Sequence, residues 1–224
     1  MNNQIRISAL ILVALCLCCT TTIGSDCDLK FSKFRATIDK DVVGYVLPVN
    51  EKDDFSYTVE GAKFYDISPS GEITYTRTIS IKTEDDIASL RPENCLFDLA
   101  AYIFVLKRTG NIEKQLEFAT EAAREILSKT PREITDKLKE NVATVESIRF
   151  LFIAKIDENV FCFVSEKSEE DESVIPMVFT HTSTGWKMTP FEFGKKNPMI
   201  TNIWNALWSL VKGKSKAIHI EEIK

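Results

Sequence analysis

Histidine is almost absent from this chain: His181 and His219 are the only two in 224 residues. The side chain that most often moves protons near neutral pH is therefore scarce. The local signatures of nucleotide-binding and acyl-transfer enzymes are missing as well. No G-x-x-x-x-G-K-[ST], G-x-G-x-x-G or G-x-S-x-G occurs, and beyond residue 25 there is no C-x-x-C. No cluster of His, Cys and carboxylate has the spacing of a zinc site, so neither a metal nor a cofactor is expected. A basic stripe is lacking too. With a net charge of −5, nucleic acid is excluded as a bulk partner, because phosphate binding needs a local excess of Lys and Arg. What remains is an ordinary globular balance of 44% hydrophobic and 27% charged residues. Fourteen Phe against three Trp predict cores filled by rings that need no hydrogen-bond partner.

The first 25 residues differ from the rest. Residues 1–6 are polar with one positive charge, residues 7–17 are apolar apart from Ser8, and residues 20–25 are mostly small or polar. This is the three-part pattern of a secretory signal, with cleavage expected near Gly24 or Ser25 and a periplasmic or secreted product. The apolar run is shorter than the ~20 residues a membrane anchor needs. A lipoprotein alternative rests on Val13-Ala14-Leu15-Cys16, although Leu15 is bulky where such signals carry a small residue. Beyond the signal lie Cys27, Cys95 and Cys162, which permit at most one intramolecular bridge. Cys95 and Cys162 fall in apolar segments and read as buried free thiols; Cys27 reads as the exposed one.

Residues 28–81 read as strands, at 42–47, 55–59 and 63–67, followed by a turn at Ser68-Pro69-Ser70-Gly71. Ile73, Tyr75, Ile79 and Ile81 then alternate with Thr74, Thr76, Thr78 and Ser80, the period of one strand with one apolar face. Arg77 sits on that apolar side. The plainer reading is an edge cation snorkelling to water; the alternative is a ligand-binding cation turned into a cavity. Residues 92–140 read as three helices. The first is apolar from Cys95 to Leu106 and ends at Gly110; the second runs from Asn111 through Ile126; the third opens on a capping box, Thr130-Pro131-Arg132-Glu133, and carries Ile134 and Leu138. Residues 148–156, 160–165, 174–181 and 186–193 form an antiparallel meander of two hairpins. Between these hairpins, Glu169-Glu170-Asp171-Glu172 lacks the Gly turn and oxygen spacing of a calcium loop and reads as a solvated tip. A last amphipathic helix runs from Asn197-Pro198 to Gly213, and residues 217–220 of the tail have strand character.

Residues 93–127, through Ala101-Tyr102, Leu106-Lys107, Gly110-Asn111 and Phe118-Ala119, resemble the opening of an NTF2-like domain of the cystatin-like fold. The later meander, closing on Gly185-Trp186-Lys187-Met188, is similar to that superfamily's strands. The chain departs from the pattern in having no strand pair between the second and third helices. The resemblance implies an α+β fold, with helices packed on a curved antiparallel sheet and a pocket between them. Additional N-terminal strands and a C-terminal amphipathic helix would flank it. The expected divisions are a signal at 1–25, a β-rich segment at 26–88, the NTF2-like module at 89–194, and a helix with charged tail at 195–224. A fold shared by many functions implies no reaction.

The functional expectation is an exported, non-catalytic protein that binds a small molecule or another envelope protein. One alternative is a small isomerase or hydrolase. Asp98 and Tyr102 lie four apart on the central helix and share a face, so in a dry pocket they would form an acid–base pair. The plainer reading has Asp98 bonded locally and Tyr102 packed. His181, at a hairpin mouth, and His219, in the tail, are poorly placed for proton transfer. A second alternative is contact with a membrane surface or partner through Trp204 and Trp208, flanked by Lys195, Lys196, Lys212, Lys214 and Lys216. The helix's polar face is uncharged, however, and the plainer reading packs it on the protein's own sheet.

Overall fold

Two unbroken apolar runs decide the architecture. Residues 150–154 and 160–164 lack the alternation of a half-solvated strand, and such strands need cover on both faces. A computed structural model describes residues 27–43, 55–81, 84–169, 171–191 and 196–224. The expected signal at 1–25, most of the strand at 42–47, Glu170, Lys195 and the end of the strand at 186–193 lie outside the described residues. The strands are β1 Ser32–Ile38, β2 Ser56–Lys63, β3 Tyr65–Ile67, β4 Ile73–Tyr75, β5 Thr78–Ser80, β6 Ser147–Ile156, β7 Asn159–Lys167, β8 Glu172–Thr182, β9 Gly185–Thr189 and β10 Ile218–Glu222. A 3-10 helix spans Glu84–Ser89. The α-helices are α1 Leu96–Thr109, α2 Ile112–Glu117, α3 Glu121–Lys129, α4 Arg132–Ala143 and α5 Pro198–Val211.

The fold is α+β. One antiparallel sheet has the order β10-β1-β2-β6-β7-β8-β9, with β5 paired to the end of β6, and β3 with β4 forms a separate two-stranded ribbon. In β7 the side chains divide by parity: Val160, Cys162 and Val164 enter one core, Phe161 and Phe163 the other. A bulge between Phe150 and Phe152 places Leu151 and Phe152 together in the second core. On the first face lies α1, whose Leu96, Leu99, Ala100, Ile103 and Phe104 are fully buried. On the second face lies α5, which inserts Ile200, Ile203, Ala206, Leu207 and Leu210. The terminal helix therefore packs on the protein's own sheet, and the tail follows it back as β10 beside β1. The strands from residues 26–88 and from the tail are hydrogen-bonded into the same sheet as the meander.

Several local expectations change. The second helix is split in two because Phe118 and Ala119 leave it to meet β9. Met188 N–H donates to Phe118 O at 2.7 Å and Thr120 N–H donates to Met188 O at 2.9 Å. Thr120 then caps α3 by accepting from Ala123 N–H. The capping box does not form. Thr130 closes α3, its hydroxyl donating to Ile126 O at 2.9 Å, and Pro131 precedes α4 without a side-chain cap. The single strand expected over 73–81 breaks at Thr76 and Arg77, since β4 joins β3 while β5 joins β6. Its alternation of inward and outward residues nevertheless persists through the break.

Cys95 is not a free thiol. It precedes α1 and is bonded to Cys27 across 68 residues, with Cα atoms 5.2 Å apart. Cys162 is buried and free, as expected. Gly185 has two reasons to be glycine. Its φ is +99°, and a Cβ there would stand 2.3 Å from Glu93 O, the acceptor for Trp186 N–H. This close approach ties the β8–β9 turn to the segment leading into α1.

Candidate functional site

Asp98 opens α1 and is 5% exposed, and its Oδ2 accepts the Arg91 backbone N–H at 2.9 Å. Tyr102 lies one turn further on, its ring edge-to-face with Phe118 at 5.3 Å. Asp98 thus closes the turn that leads into its own helix, and Tyr102 packs against the kinked segment after α2. Neither residue lines either of the cavities described below. Asp98 also approaches Cys27 and Cys95, with ligand-type atoms within 4.8 Å of one another. Both sulfurs are in the disulfide, which leaves no thiolate for a metal.

The two tryptophans of α5 have different surroundings. Trp204 turns inward: its indole N–H donates to Val174 O at 2.8 Å and its ring meets Phe191 edge-on at 5.5 Å. Trp208 is 46% exposed, with the Lys212 ammonium 5.4 Å from its ring centre. His181 stacks edge-on against Trp186, and His219 lies exposed on β10.

The acidic segment before β8 divides in the same way. Asp171 is exposed and paired with Lys212, whose hydrogen bond holds its carboxyl below the usual range. Glu172, expected at a solvated tip, faces inward. It accepts from Tyr75 Oη at 2.7 Å, from Ser165 Oγ, and from Arg149 Nη1 at 3.2 Å on both oxygens. The Arg149 guanidinium also lies 4.7 Å from the Tyr75 ring centre. Burial, and then the bond to Glu172, push the Tyr75 phenol up to about 12. These four residues lock β4 onto β6, β7 and β8 as a closed network. Lys107 of α1 and Glu166 of β7 also influence each other electrostatically. Burial lowers the Lys107 ammonium and raises the Glu166 carboxyl, and each partially restrains the other's shift.

Two recesses are open to solvent. The larger, about 780 Å³, lies beside Ile81, Arg108, Thr144 and Ser147. There the Arg108 guanidinium is engaged by two backbone carbonyls, donating to Ile81 O at 3.1 Å and to Val145 O, so its part is structural. The smaller, about 360 Å³, lies where the N-terminal segment, the end of β2 and the start of α1 converge. Its lining brings together Asp28, Lys30, Lys63, Phe64, Arg77 and Phe97. The Arg77 guanidinium is 3.7 Å from the centre of the Phe97 ring, and Phe64 meets Phe97 edge-on at 5.5 Å. Arg77 is half-buried, with its guanidinium over the Phe97 ring at the edge of this recess. Phe64 and Phe97 were not recognisable as its companions, because nothing local in the sequence distinguishes them from other core rings. The Cys27–Cys95 bridge fixes one wall of this cavity to the helix that forms another.

Among the described residues, no helix is long and apolar enough to cross a membrane. Compared with protein-family models, with curated proteins and with solved structures, the chain has no match in any of the three, so the functional reading rests on geometry.

Proposed function

We propose that this chain is an exported, non-catalytic binding protein whose small-molecule site is the cavity at Arg77 and Phe97. The observation that carries the reading is a cationic side chain stacked on an aromatic ring and lining a recess of ligand size, at the low end of the ~300–1,000 Å³ seen for small-molecule sites. The surrounding groups would attract and orient a ligand. Export is supported by the leader-like first 25 residues and by the Cys27–Cys95 bridge, since disulfides persist where the surroundings are oxidising. A helical layer on an antiparallel meander is also what an NTF2-like relationship would lead one to expect, with α5 and the strands β1, β2 and β10 as additions.

Titrating the ¹⁵N-labelled full chain with a mixture of small aromatic fragments tests this. The reading expects amide shifts to gather at Ala62, Phe64 and Arg77. Shifts gathered at Tyr102 would favour the enzyme reading, and shifts gathered at Trp208 the docking reading; either pattern removes the cavity from consideration.

A further inference from the structure

Three of the four large apolar side chains that stand exposed among the described residues fall within residues 126–138: Ile126 on α3, and Ile134 and Leu138 on α4. On α4 the reason is the side by which the helix packs on α1. Val142 is buried, Thr135 is half-buried and the stem of Lys139 lies beside Gly110 at the end of α1, so that side faces the protein. Ile134 and Leu138, one turn apart, are left 51% and 44% exposed. We infer that this stripe is covered by the same stripe of a second copy of the chain, with the two α4 helices antiparallel.

The charges of α4 indicate the occupant. Arg132, Lys137 and Lys139 are matched by Glu133, Asp136 and Glu140, so the helix carries no net charge. An anionic lipid surface selects an excess of Lys and Arg, which is lacking here. The arrangement instead complements itself. Arg132 pairs with Asp136 at 3.8 Å, and at about 100° per residue both project away from the stripe. Glu133 and Lys137 lie together on one flank of it. Antiparallel pairing about a two-fold axis between Ile134 and Leu138 sets each Ile134 against the second copy's Leu138, and each Glu133 beside the second copy's Lys137. The helix dipoles then oppose each other, which adds to the fit. One helix of 12 residues per copy offers less than the ~1,200 Å² at which stable interfaces begin, so the association is weak and concentration-dependent.

Sedimentation equilibrium of the disulfide-intact full chain, from micromolar to millimolar concentration, tests this. The average mass is expected to rise from that of a monomer toward that of a dimer. Leu138→Glu, a change at an exposed position, should weaken the association tenfold or more, and Ile134→Ser severalfold. Circular dichroism checks that each variant folds as the parent does. Should Leu138→Glu fail to fold, Ile134→Ser and the charge variants decide the matter. Glu133→Lys alone should weaken the association severalfold, and Glu133→Lys/Lys137→Glu should restore it, because the exchange again leaves each pair across the interface opposite in sign. Raised salt should shrink both charge effects. A parent chain that stays monomeric at millimolar concentration overturns the proposal, as does a dimer indifferent to both apolar substitutions. Monomers that instead bind vesicles of anionic phospholipid, and lose that binding in Leu138→Glu, assign the stripe to a lipid surface and overturn it too. Association that the charge exchange fails to restore overturns the antiparallel register.

Discussion

At the scale of single residues, close approaches matter more than composition. Gly61 in β2 is the sharpest case. A Cβ there would lie 2.1 Å from Ile153 O and 2.9 Å from the Phe152 ring, and a backbone carbonyl held in the central sheet cannot move aside. Gly61→Ala is therefore expected to cost about 3 kcal/mol, the upper end of overpacking effects, measurable by urea denaturation. Tyr75 gives a pH signature. Its phenol titrates near 12 in the fold against 10.0 in a free chain. Because the folded value is the higher one, its contribution is complete below pH 10 and is lost as pH rises through about 12. Stability should fall over that interval in the parent chain and fall less in Tyr75→Phe, with Tyr65, raised likewise by burial, accounting for part of the remainder. Denaturation curves at pH 9.5 and 11.5 for both proteins check this.

At the scale of elements, what was legible in the sequence was whatever depends on neighbours along the chain. The meander from β6 to β9, the stripe of α5, the end of α1 at Gly110 and the Asn111 cap were readable from periodicity and capping chemistry. What was hidden depends on distant partners. The helix expected through Ile126 breaks because Met188, some 70 residues later, offers Phe118 and Thr120 better hydrogen bonds than the helix does. Glu172 looked like one of a solvated acidic run because Tyr75 and Arg149, its inward partners, come from other strands. The disulfide belongs to the same class. Cys95 lies in an apolar setting, and nothing near it points to Cys27. The bridge closes a 68-residue loop, so its removal in Cys27→Ser/Cys95→Ser should lower stability by about 4 kcal/mol on the chain-entropy account. Thermal melts of the oxidised parent, the reduced parent and the double variant should rank in that sense, with the last two nearly equal.

At the scale of the whole molecule, one sheet divides two cores, and each depends on a different helix. The first has α1 with its smaller companions; the second has α5, whose Ile200, Ile203, Leu207 and Leu210 each contribute ~1.5–3 kcal/mol by burial. Deleting residues 197–224 would uncover that entire face and remove β10 from β1. The shortened chain is expected to lose cooperative melting and to aggregate, observable by circular dichroism and gel filtration. A truncated protein that stayed monomeric with unchanged melting would contradict the two-core account. The candidate site lies on the side of the first core, so its function and the stability of the second are separable in principle.

The most direct test of the functional account is a crystal structure of the disulfide-intact protein grown with the small aromatic fragments. The account predicts a fragment seated against Phe64 or Phe97 in the recess that Arg77 lines. A cavity filled by the protein's own side chains, or fragments seated only elsewhere, would contradict it.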